Sequence, residues 1–351
     1  MKVKRIPFFT RLSAVLCFCV SFSVSGGKLD DIAQKARTVQ NKEIIKCSPD
    51  GSIEGTVSLE KAVENLKSGT TLHLLPGYYN PQTLIMLKQD NLIIEGDGSG
   101  GECHFQLIAH GKNCIVRNIY LRSLEGGDIT VVDSKMRGIA ITNGGQKVNA
   151  LIFNSCVMGL SIYANKSDIT IAESTIFNPR EPTEKTSAVQ TWRYGTTMHN
   201  DSHFRLVNFG NIEIKGDVTF ERCIIYSGSL ILGNCVNGKS LELIFDNNLI
   251  FGKKGLLIPP GGKDAKEKIV SDFKGLKDFF SVKLKGDNIL KQPLFDKASN
   301  PKADFQLYTQ NLTLAKASPE YDKGLGANMG PGNMPVPREK SQQKSSDTKK
   351  K

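Results

Sequence analysis

The sequence has a single tryptophan in 351 residues, only five histidines, and no cysteine pair with the Cys-x-x-Cys spacing. Structural zinc sites are commonly built from such cysteine pairs together with histidines. After the first 25 residues, no apolar run reaches the ~20 residues that span a bilayer as a helix. The sequence therefore predicts no metal site and no membrane span beyond its N-terminal segment.

The first residues have the pattern of a secretory signal peptide. Four basic residues precede an uncharged run from Leu12 to Val24, and small residues follow up to Gly27. This order of a basic region, a short apolar region and small residues is typical of a signal cleaved on export. We predict a signal peptide over residues 1–26 and a mature chain that is secreted, periplasmic or at the cell surface. A retained N-terminal membrane anchor is the alternative.

The net charge of +11 is concentrated at the two ends of the chain. Residues 1–11 hold four basic residues, residues 336–351 hold six basic and two acidic ones, and the body between them has a net charge of +3. A body charge this small gives no basis for a nucleic-acid partner. Residues 332–351 are predicted to be a disordered basic tail, and we expect the chain to be a monomer.

Six cysteines follow the predicted signal peptide, at Cys47, Cys103, Cys114, Cys156, Cys223 and Cys235. An even number in an oxidising compartment permits disulfides, and the sequence leaves their pairing open. Three of the six, Cys114, Cys156 and Cys223, fall on repeating positions of the chain. A free thiol is a good small core side chain, so we interpret these three as packing residues.

Short β-forming runs recur along the body, separated by Gly, Asn, Asp and Ser. Six runs align on a small or polar residue that lies between two apolar stretches: Asn118, Ser134, Ser155, Ser174, Cys223 and Asn248. The intervals are 16, 21, 19, 49 and 25 residues. Self-similarity at such a period indicates a solenoid. We predict an all-β right-handed parallel β-helix over residues 57–331; a β-sandwich of short antiparallel strands is the alternative.

Two helical segments are predicted near the ends of this domain, after a lead segment over residues 27–56. Ser58 is a typical helix N-cap, and the stripe that follows it has helical spacing: Leu59, Ala62, Val63 and Leu66. Near the other end, an apolar stripe from Ile269 to Phe280 predicts a helical insertion over residues 263–280. Because an open solenoid end exposes its core, we interpret both segments as caps.

The start of the domain resembles the opening of the pectin-lyase-like right-handed β-helix family, with SLEKAVENLKSGTTLHLLPGYYNP over residues 58–81. In that family a helix leads to a turn, a first strand and a Pro-Gly-x-Tyr turn. The end of the domain, residues 292–331, is similar to the end of many bacterial secreted β-helix proteins, although Gln292 replaces an acid before Pro293. The family holds lyases, hydrolases, epimerases and non-catalytic proteins, so the resemblance implies the fold rather than one activity.

In the enzymes of this family, substrates lie along the sheet of first strands. A lyase there needs a basic residue as the base and a neutraliser for the uronate carboxylate, often Ca²⁺. The outward positions expected on this sheet carry no charge: Ala140, Thr142, Ser161 and Tyr163. Ca²⁺ is implied by the resemblance alone, since no clustered aspartates would hold it. We therefore expect no cofactor, and the catalytic residues stay unknown.

One long segment, residues 178–204, leaves the repeat pattern where a loop would overhang the first strands. It holds the only tryptophan, and with Tyr163 it supplies the predicted substrate-binding residues: Trp192, Arg193, Arg180, Lys185 and Tyr194. Aromatic rings stack on sugar faces and arginine pairs with carboxylates. We expect a protein that binds or acts on extracellular, acidic polysaccharide, with lyase-like chemistry if it is an enzyme. The alternative is a non-catalytic surface or matrix scaffold.

Overall fold

The structure, a computed structural model, describes residues 26–79, 84–98, 102–142, 148–164, 167–178, 212–216, 218–227, 230–232, 242–252, 256–258, 268–277, 281–296, 312–330 and 334–338. Within these ranges the chain is mostly β. Its α-helices are α1 (Gly26–Thr38), α2 (Leu59–Glu64) and α3 (Phe273–Leu276). Its strands are β1 (Glu43–Cys47), β2 (Thr70–Leu74), β3 (Leu84–Leu87), β4 (Ile93–Gly96), β5 (Glu102–Ala109), β6 (Cys114–Arg117), β7 (Tyr120–Gly126), β8 (Asp128–Val132), β9 (Lys135–Met136), β10 (Ile139–Thr142), β11 (Val148–Phe153), β12 (Cys156–Val157), β13 (Leu160–Ala164), β14 (Ser167–Ala172), β15 (Thr175–Asn178), β16 (Ile212–Gly216), β17 (Val218–Glu221), β18 (Ile224–Ser227), β19 (Leu230–Leu232), β20 (Glu242–Asp246), β21 (Leu249–Gly252), β22 (Leu256–Ile258), β23 (Lys268–Val270), β24 (Ser281–Lys285) and β25 (Ile289–Leu290).

The strands form two long sheets that the chain visits in turn. One has the order β1-β2-β4-β6-β8-β11-β14-β17-β20-β24 and is called here the second-strand sheet. The other divides at the long strand β7 into a first-strand branch (β10, β13, β16, β19, β22) and a third-strand branch (β9, β12, β15, β18, β21, β25). The pairs in both sheets are parallel except for β22 with β23. This arrangement of long parallel sheets is consistent with a parallel β-helix.

The interior is filled by apolar columns that run along the solenoid, because side chains of successive strand residues alternate between two faces. One column of the second-strand sheet consists of buried residues on successive strands: Leu72, Ile94, Val116, Val131, Ile152, Ile171, Phe220 and Phe245. The rings of Phe220 and Phe245 stack at 5.6 Å with an interplanar angle of 10°. Like residues thus pack on like residues from coil to coil.

The turn between second and third strands uses the left-handed region of backbone space. A residue with φ between 45° and 54° directly follows the second strand in six successive coils: Asn118, Asp133, Asn154, Glu173, Arg222 and Asn247. Asn and Asp tolerate this conformation, whereas for Glu and Arg it costs roughly 1–2 kcal/mol. The side chains of Glu173 and Arg222 make an ion pair across two coils (2.8 Å), which offsets this cost.

The predicted column of small residues is confirmed for the positions after this turn. Backbone N–H groups of Ser134 and Ser155 donate to the Oγ atoms of Ser155 and Ser174, at 3.3 and 3.2 Å, and the N–H of Cys223 donates to Oδ1 of Asn248 at 2.8 Å. The prediction is wrong for Asn118, which lies one position earlier, in the left-handed turn. Ile119 takes the column position, and its N–H points to Ser134 Oγ at 3.5 Å. That coil is therefore 15 residues long.

Helix α1, in the lead segment 27–56, packs on the outward side of the second-strand sheet. Leu29, Ala33 and Ala36 follow helical spacing and are buried against four apolar outward residues of three strands: Val132, Leu151, Phe153 and Ala172. Strands that are apolar on both faces are typical of sheets covered on both sides. The same lead segment contributes β1, which pairs with β2.

The predicted helix after Ser58 is present as α2. The Ser58 side chain accepts a hydrogen bond from the N–H of Lys61 at 3.4 Å, and Leu59 and Ala62 join the core. The predicted helix over 263–280 is largely wrong in the described part. Residues 268–270 form β23, and only Phe273–Leu276 is helical, with Asp272 as its N-cap.

The C-terminal segment, described over 312–330 and 334–338, covers the outward side of the third-strand branch. Leu312 and Ala327 pack with Tyr120, Cys156 and Phe177. Three consecutive residues bond to three successive coils, because the N–H groups of Gly326, Ala327 and Asn328 donate to Arg222 O, Thr175 Oγ1 and Asn154 Oδ1 at 2.8, 3.0 and 2.7 Å. The C-terminal segment thus ties together three successive coils that are far from it in the sequence.

Candidate functional site on the first-strand branch

Most of the predicted substrate-binding residues lie outside the described residues: Trp192, Arg193, Arg180, Lys185 and Tyr194. Tyr163 lies on β13, where its Cα pairs with Thr142 on one side and with Lys215 on the other. The chain leaves the third-strand branch at Asn178 and re-enters the first-strand branch at Ile212, directly beside Leu160 of β13. The segment that holds Trp192 therefore joins the strand next to Tyr163.

Two columns of residues lie at outward positions of this branch, on either side of the inward column that contains Ile141 and Ile162. The first runs through Glu125, Ala140, Ser161 and Glu213. The second runs through Thr142, Tyr163 and Lys215. Two carboxylate residues, two hydroxyl residues, one tyrosine and one lysine are thus brought together on four adjacent strands.

The expectation that outward positions of the first strands carry no charge is wrong, because Glu125 pairs with Ala140 and Glu213 pairs with Ser161. Sequence reasoning missed Glu125 because the 15-residue coil displaced the alignment there. It missed Glu213 because β16 follows the long segment that breaks the repeat. A signal was present in both cases, since Leu124 and Gly126 flank Glu125 and two isoleucines flank Glu213 in the alternating pattern of a strand.

The first outward column is buried where its side chains are described. Glu125, Ala140 and Ser161 are 4%, 0% and 1% exposed, whereas Thr142 in the second column is partly exposed. The Thr142 hydroxyl donates to Glu125 Oε1 at 3.4 Å. Ser161 Oγ is buried and has no hydrogen-bond partner within the described part of the chain. Leaving a buried hydroxyl unsatisfied is costly, so this position favours a further polar partner.

Most other buried charges have structural roles on the outward side of the second-strand sheet. Arg117 Nη1 donates to the carbonyl oxygens of Ala36, Arg37 and Val39 at 2.7–2.9 Å, which caps the C-terminus of α1, and its Nε donates to Glu95 at 2.8 Å. Arg37 donates to both oxygens of the Asp133 carboxylate, at 2.7 and 2.9 Å. These groups are used in holding the helix and are not free to act on a ligand.

A second cluster of charged residues lies at the left-handed turn between the second and third strands, where α1 and the C-terminal segment both contact it. Glu173 accepts from Arg222 and from Arg338 (3.3 Å), and Arg222 also binds Glu221 at 2.6 Å. Burial raises the pKa of Asp30, and the nearby Glu173 carboxylate raises it further. Burial likewise raises the pKa of Glu221, against the effect of Arg222.

An aromatic column on the outward side of the third-strand branch is a less suitable ligand site. The rings of Phe177 and Tyr226 stack at 5.2 Å, those of Tyr226 and Phe251 lie 5.4 Å apart, and Phe295 meets Phe177 edge-on at 5.7 Å. Because the rings pack on one another, their faces are already occupied, and the column stabilises successive coils.

Among the described residues, no group of three His, Cys, Asp or Glu side chains is placed to hold a metal ion. The described helices include none that is both long and apolar enough to cross a membrane. The five described cysteines, Cys47, Cys103, Cys114, Cys156 and Cys223, are free thiols, and Cys235 lies outside the described residues.

Comparisons with models of protein families, with curated proteins and with solved structures find no match for this chain. The structure defines its class as a mostly β protein with two long parallel sheets, and the outward columns of the first-strand branch are its candidate site.

Proposed function

We propose that this chain is an exported, right-handed parallel β-helix protein, with α2 and the 263–280 region as its caps, that binds polysaccharide on the outward side of the first-strand branch. One observation supports this most: strand pairing sets Tyr163 between Thr142 and Lys215, beside the column that contains Ser161 and Glu213. Hydroxyl, carboxylate, ammonium and aromatic groups are those that bind sugar hydroxyls and ring faces.

A polymer suits this face because the site repeats along the solenoid axis. Neighbouring strands are ~4.8 Å apart, so a chain laid across them meets a new outward residue at each strand. The contact is expected along the column of Thr142, since Thr142 is partly exposed whereas Ala140 and Ser161 are buried.

Acidic polysaccharide is the proposed ligand class because basic residues occur on β16 and in the segment that precedes it in the sequence. Lys215 pairs with Tyr163, and the segment that leads into β16 carries Arg180, Lys185 and Arg193. Arginine and lysine bind uronate carboxylates through charge-assisted hydrogen bonds. We assign no catalytic residue.

Binding to immobilised polysaccharides tests the proposal, with polyuronates and sulfated glycans compared with neutral glucans. We expect the wild type to bind the acidic polymers and Tyr163→Ala, Lys215→Ala and Trp192→Ala each to lower the affinity by about tenfold, the loss of about one charge-assisted or stacking contact. Lys46→Ala is the matched control for Lys215→Ala. Lys46 is an exposed lysine on β1, the terminal strand of the second-strand sheet, whereas the candidate site lies on the other sheet. Failure of the wild type to bind any polymer would contradict the proposal.

A non-catalytic scaffold is the second candidate, and the tethering of both described chain ends supports it. Arg37 and Arg338 fix α1 and the C-terminal segment to the same turn column through Asp133 and Glu173. Such a chain resists opening at its ends, as a surface scaffold requires. Release of unsaturated uronate from polyuronates, followed by ultraviolet absorbance, would exclude this candidate.

A further inference from the structure

Lys135 and Cys156 form a buried pair on the outward side of the third-strand branch. They are direct partners in the pairing of β9 with β12, and both side chains are 0% exposed. Their neighbours inside the coil, Met136 and Val157, belong to the core, so by strand alternation Lys135 and Cys156 both point outward. Two reactive groups thus lie side by side on successive coils, whose paired strands are ~4.8 Å apart.

The C-terminal segment covers this pair. Met329 Sδ lies 3.4 Å from Cys156 Sγ, and the N–H of Ala327 bonds to the next residue of the same column, Thr175. Met329 itself is only partly buried. Because Lys135 and Cys156 are fully buried, an oxidant reaches them only when the partly buried Met329 side chain moves aside.

The environment changes the acid–base behaviour of both groups. Burial lowers the pKa of Lys135 to about 8, so roughly a tenth of its amine is neutral at pH 7 and about half at pH 8. Burial raises the pKa of Cys156 to about 11, and the Lys135 ammonium opposes the rise. Burial raises the pKa of Cys47, Cys114 and Cys223 further, to about 12. The Cys156 thiol is thus more acidic than these three.

We infer that Lys135 and Cys156 form a covalent cross-link under oxidising conditions, a sulfenamide between Lys135 Nζ and Cys156 Sγ that joins two successive coils. Peroxide first oxidises the thiol: its O–O bond breaks, one oxygen becomes the S–OH of a sulfenic acid, and the other leaves as water. The neutral amine then attacks sulfur, the S–O bond breaks, and the hydroxyl leaves with an amine proton as a second water. Sulfur is oxidised and peroxide is reduced.

The pairing favours this outcome over further oxidation of the thiol. A neighbouring amine held by strand pairing acts at a high effective concentration. Burial of the pair also slows hydrolysis of the S–N bond of the sulfenamide. The product would lock the coil that begins at β9 to the one that begins at β12, under the C-terminal segment. This inference does not depend on polysaccharide binding.

Peptide mapping of the folded, full-length exported chain after treatment with hydrogen peroxide tests the cross-link. We expect one linked species that joins the peptides of Lys135 and Cys156, lighter than their sum by two hydrogens and cleaved by a thiol reductant. Its yield should rise from pH 7 to pH 9 as Lys135 loses its proton. The peptides of Cys47, Cys103, Cys114 and Cys223 in the same digest serve as internal controls and should keep free thiols.

Two variants separate the cross-link from simple oxidation. Lys135→Met keeps the length and apolar contacts of the side chain without the amine, and Cys156→Ser keeps a small side chain without the thiol; both should abolish the linked species. Circular dichroism confirms that each variant is folded. Recovery of Cys156 only as sulfinic or sulfonic acid with Lys135 unmodified, as a disulfide, or as an unchanged thiol would overturn the inference.

Discussion

Arg222 Nη2 donates to Glu173 Oε1 at 2.8 Å although the two residues are 49 positions apart in the sequence. They occupy the same left-handed turn position in the two coils that flank residues 179–211. Arg338 adds the C-terminal segment to the same carboxylate, and Arg338 Nη2 also donates to Gly326 O at 2.5 Å. One buried carboxylate therefore joins the coil before the long segment, the coil after it, and the chain end.

Glu173→Gln should lower the free energy of unfolding by ~3–5 kcal/mol, since it leaves two arginines near a site that lost its charge. Arg338→Gln should cost less, because the Glu173–Arg222 pair remains. Glu54→Gln is the control, since Glu54 is exposed. Urea unfolding measures all three, and equal stability of the Glu173 and Glu54 variants would contradict this role.

Leu29→Ala tests the attachment of α1 to the second-strand sheet. Leu29 is 1% exposed and packs with Val132, Leu151 and Phe153. Removing a buried leucine side chain from such a contact costs ~2–5 kcal/mol. We expect this loss in chemical unfolding together with faster amide exchange in β8 and β11. Gln34→Ala, on the exposed side of the same helix, should leave both measurements unchanged.

The sequence predicts local features of this fold better than contacts between distant residues. The column from Ser134 to Asn248 was predictable because five successive coils have a small or polar residue at the same turn. The coil between Ile119 and Ser134 was aligned wrongly because it is shorter than the other coils of the repeat. Helix α1 was not predicted because two of its three buried residues are alanines, which are a weak apolar signal.

Ion pairs such as Arg37 with Asp133 could not be predicted from spacing, since the partners are 96 residues apart and only the closed solenoid brings them together. The same holds for the candidate site. Thr142, Ser161 and Tyr163 could be assigned to the first strands from their alternation. Lys215 and Glu213 became their neighbours only through the pairing of β13 with β16.

The described thiols should be unreactive in the folded protein under non-oxidising conditions. Burial raises the pKa of Cys47, Cys114 and Cys223 to about 12 and that of Cys156 to about 11, and it raises the pKa of Cys103 as well. Thiolate is the reactive form. Alkylation at pH 8, followed by peptide mapping, should label these five cysteines only after denaturant is added. Rapid labelling of any of them in the folded state would contradict their burial.

Lys135→Met should stabilise the protein, because Lys135 is fully buried and burial lowers its pKa from 10.5 to about 8. At pH 7 the folded state must hold the buried ammonium, so replacing it with an apolar side chain of similar length should raise the free energy of unfolding by ~1–3 kcal/mol. Thermal and urea unfolding measure this gain. A loss of stability at pH 7 would show that the bonds of the ammonium outweigh the cost of its burial.

The pH dependence of the same lysine has a definite sign. Below pH 8 both states hold the proton, whereas above pH 8 the folded state releases it and the unfolded state, with a pKa near 10.5, keeps it. The unfolded state then binds more protons at this site, so the lysine by itself adds about 1 kcal/mol of stability between pH 8 and 9. The buried cysteines act in the opposite direction over the same range, because burial raises their pKa in the folded state and they lose protons first in the unfolded state. The change in stability from pH 8 to pH 9 should therefore be more favourable by about 1 kcal/mol in the wild type than in Lys135→Met, and an equal change in both proteins would contradict the assignment to Lys135.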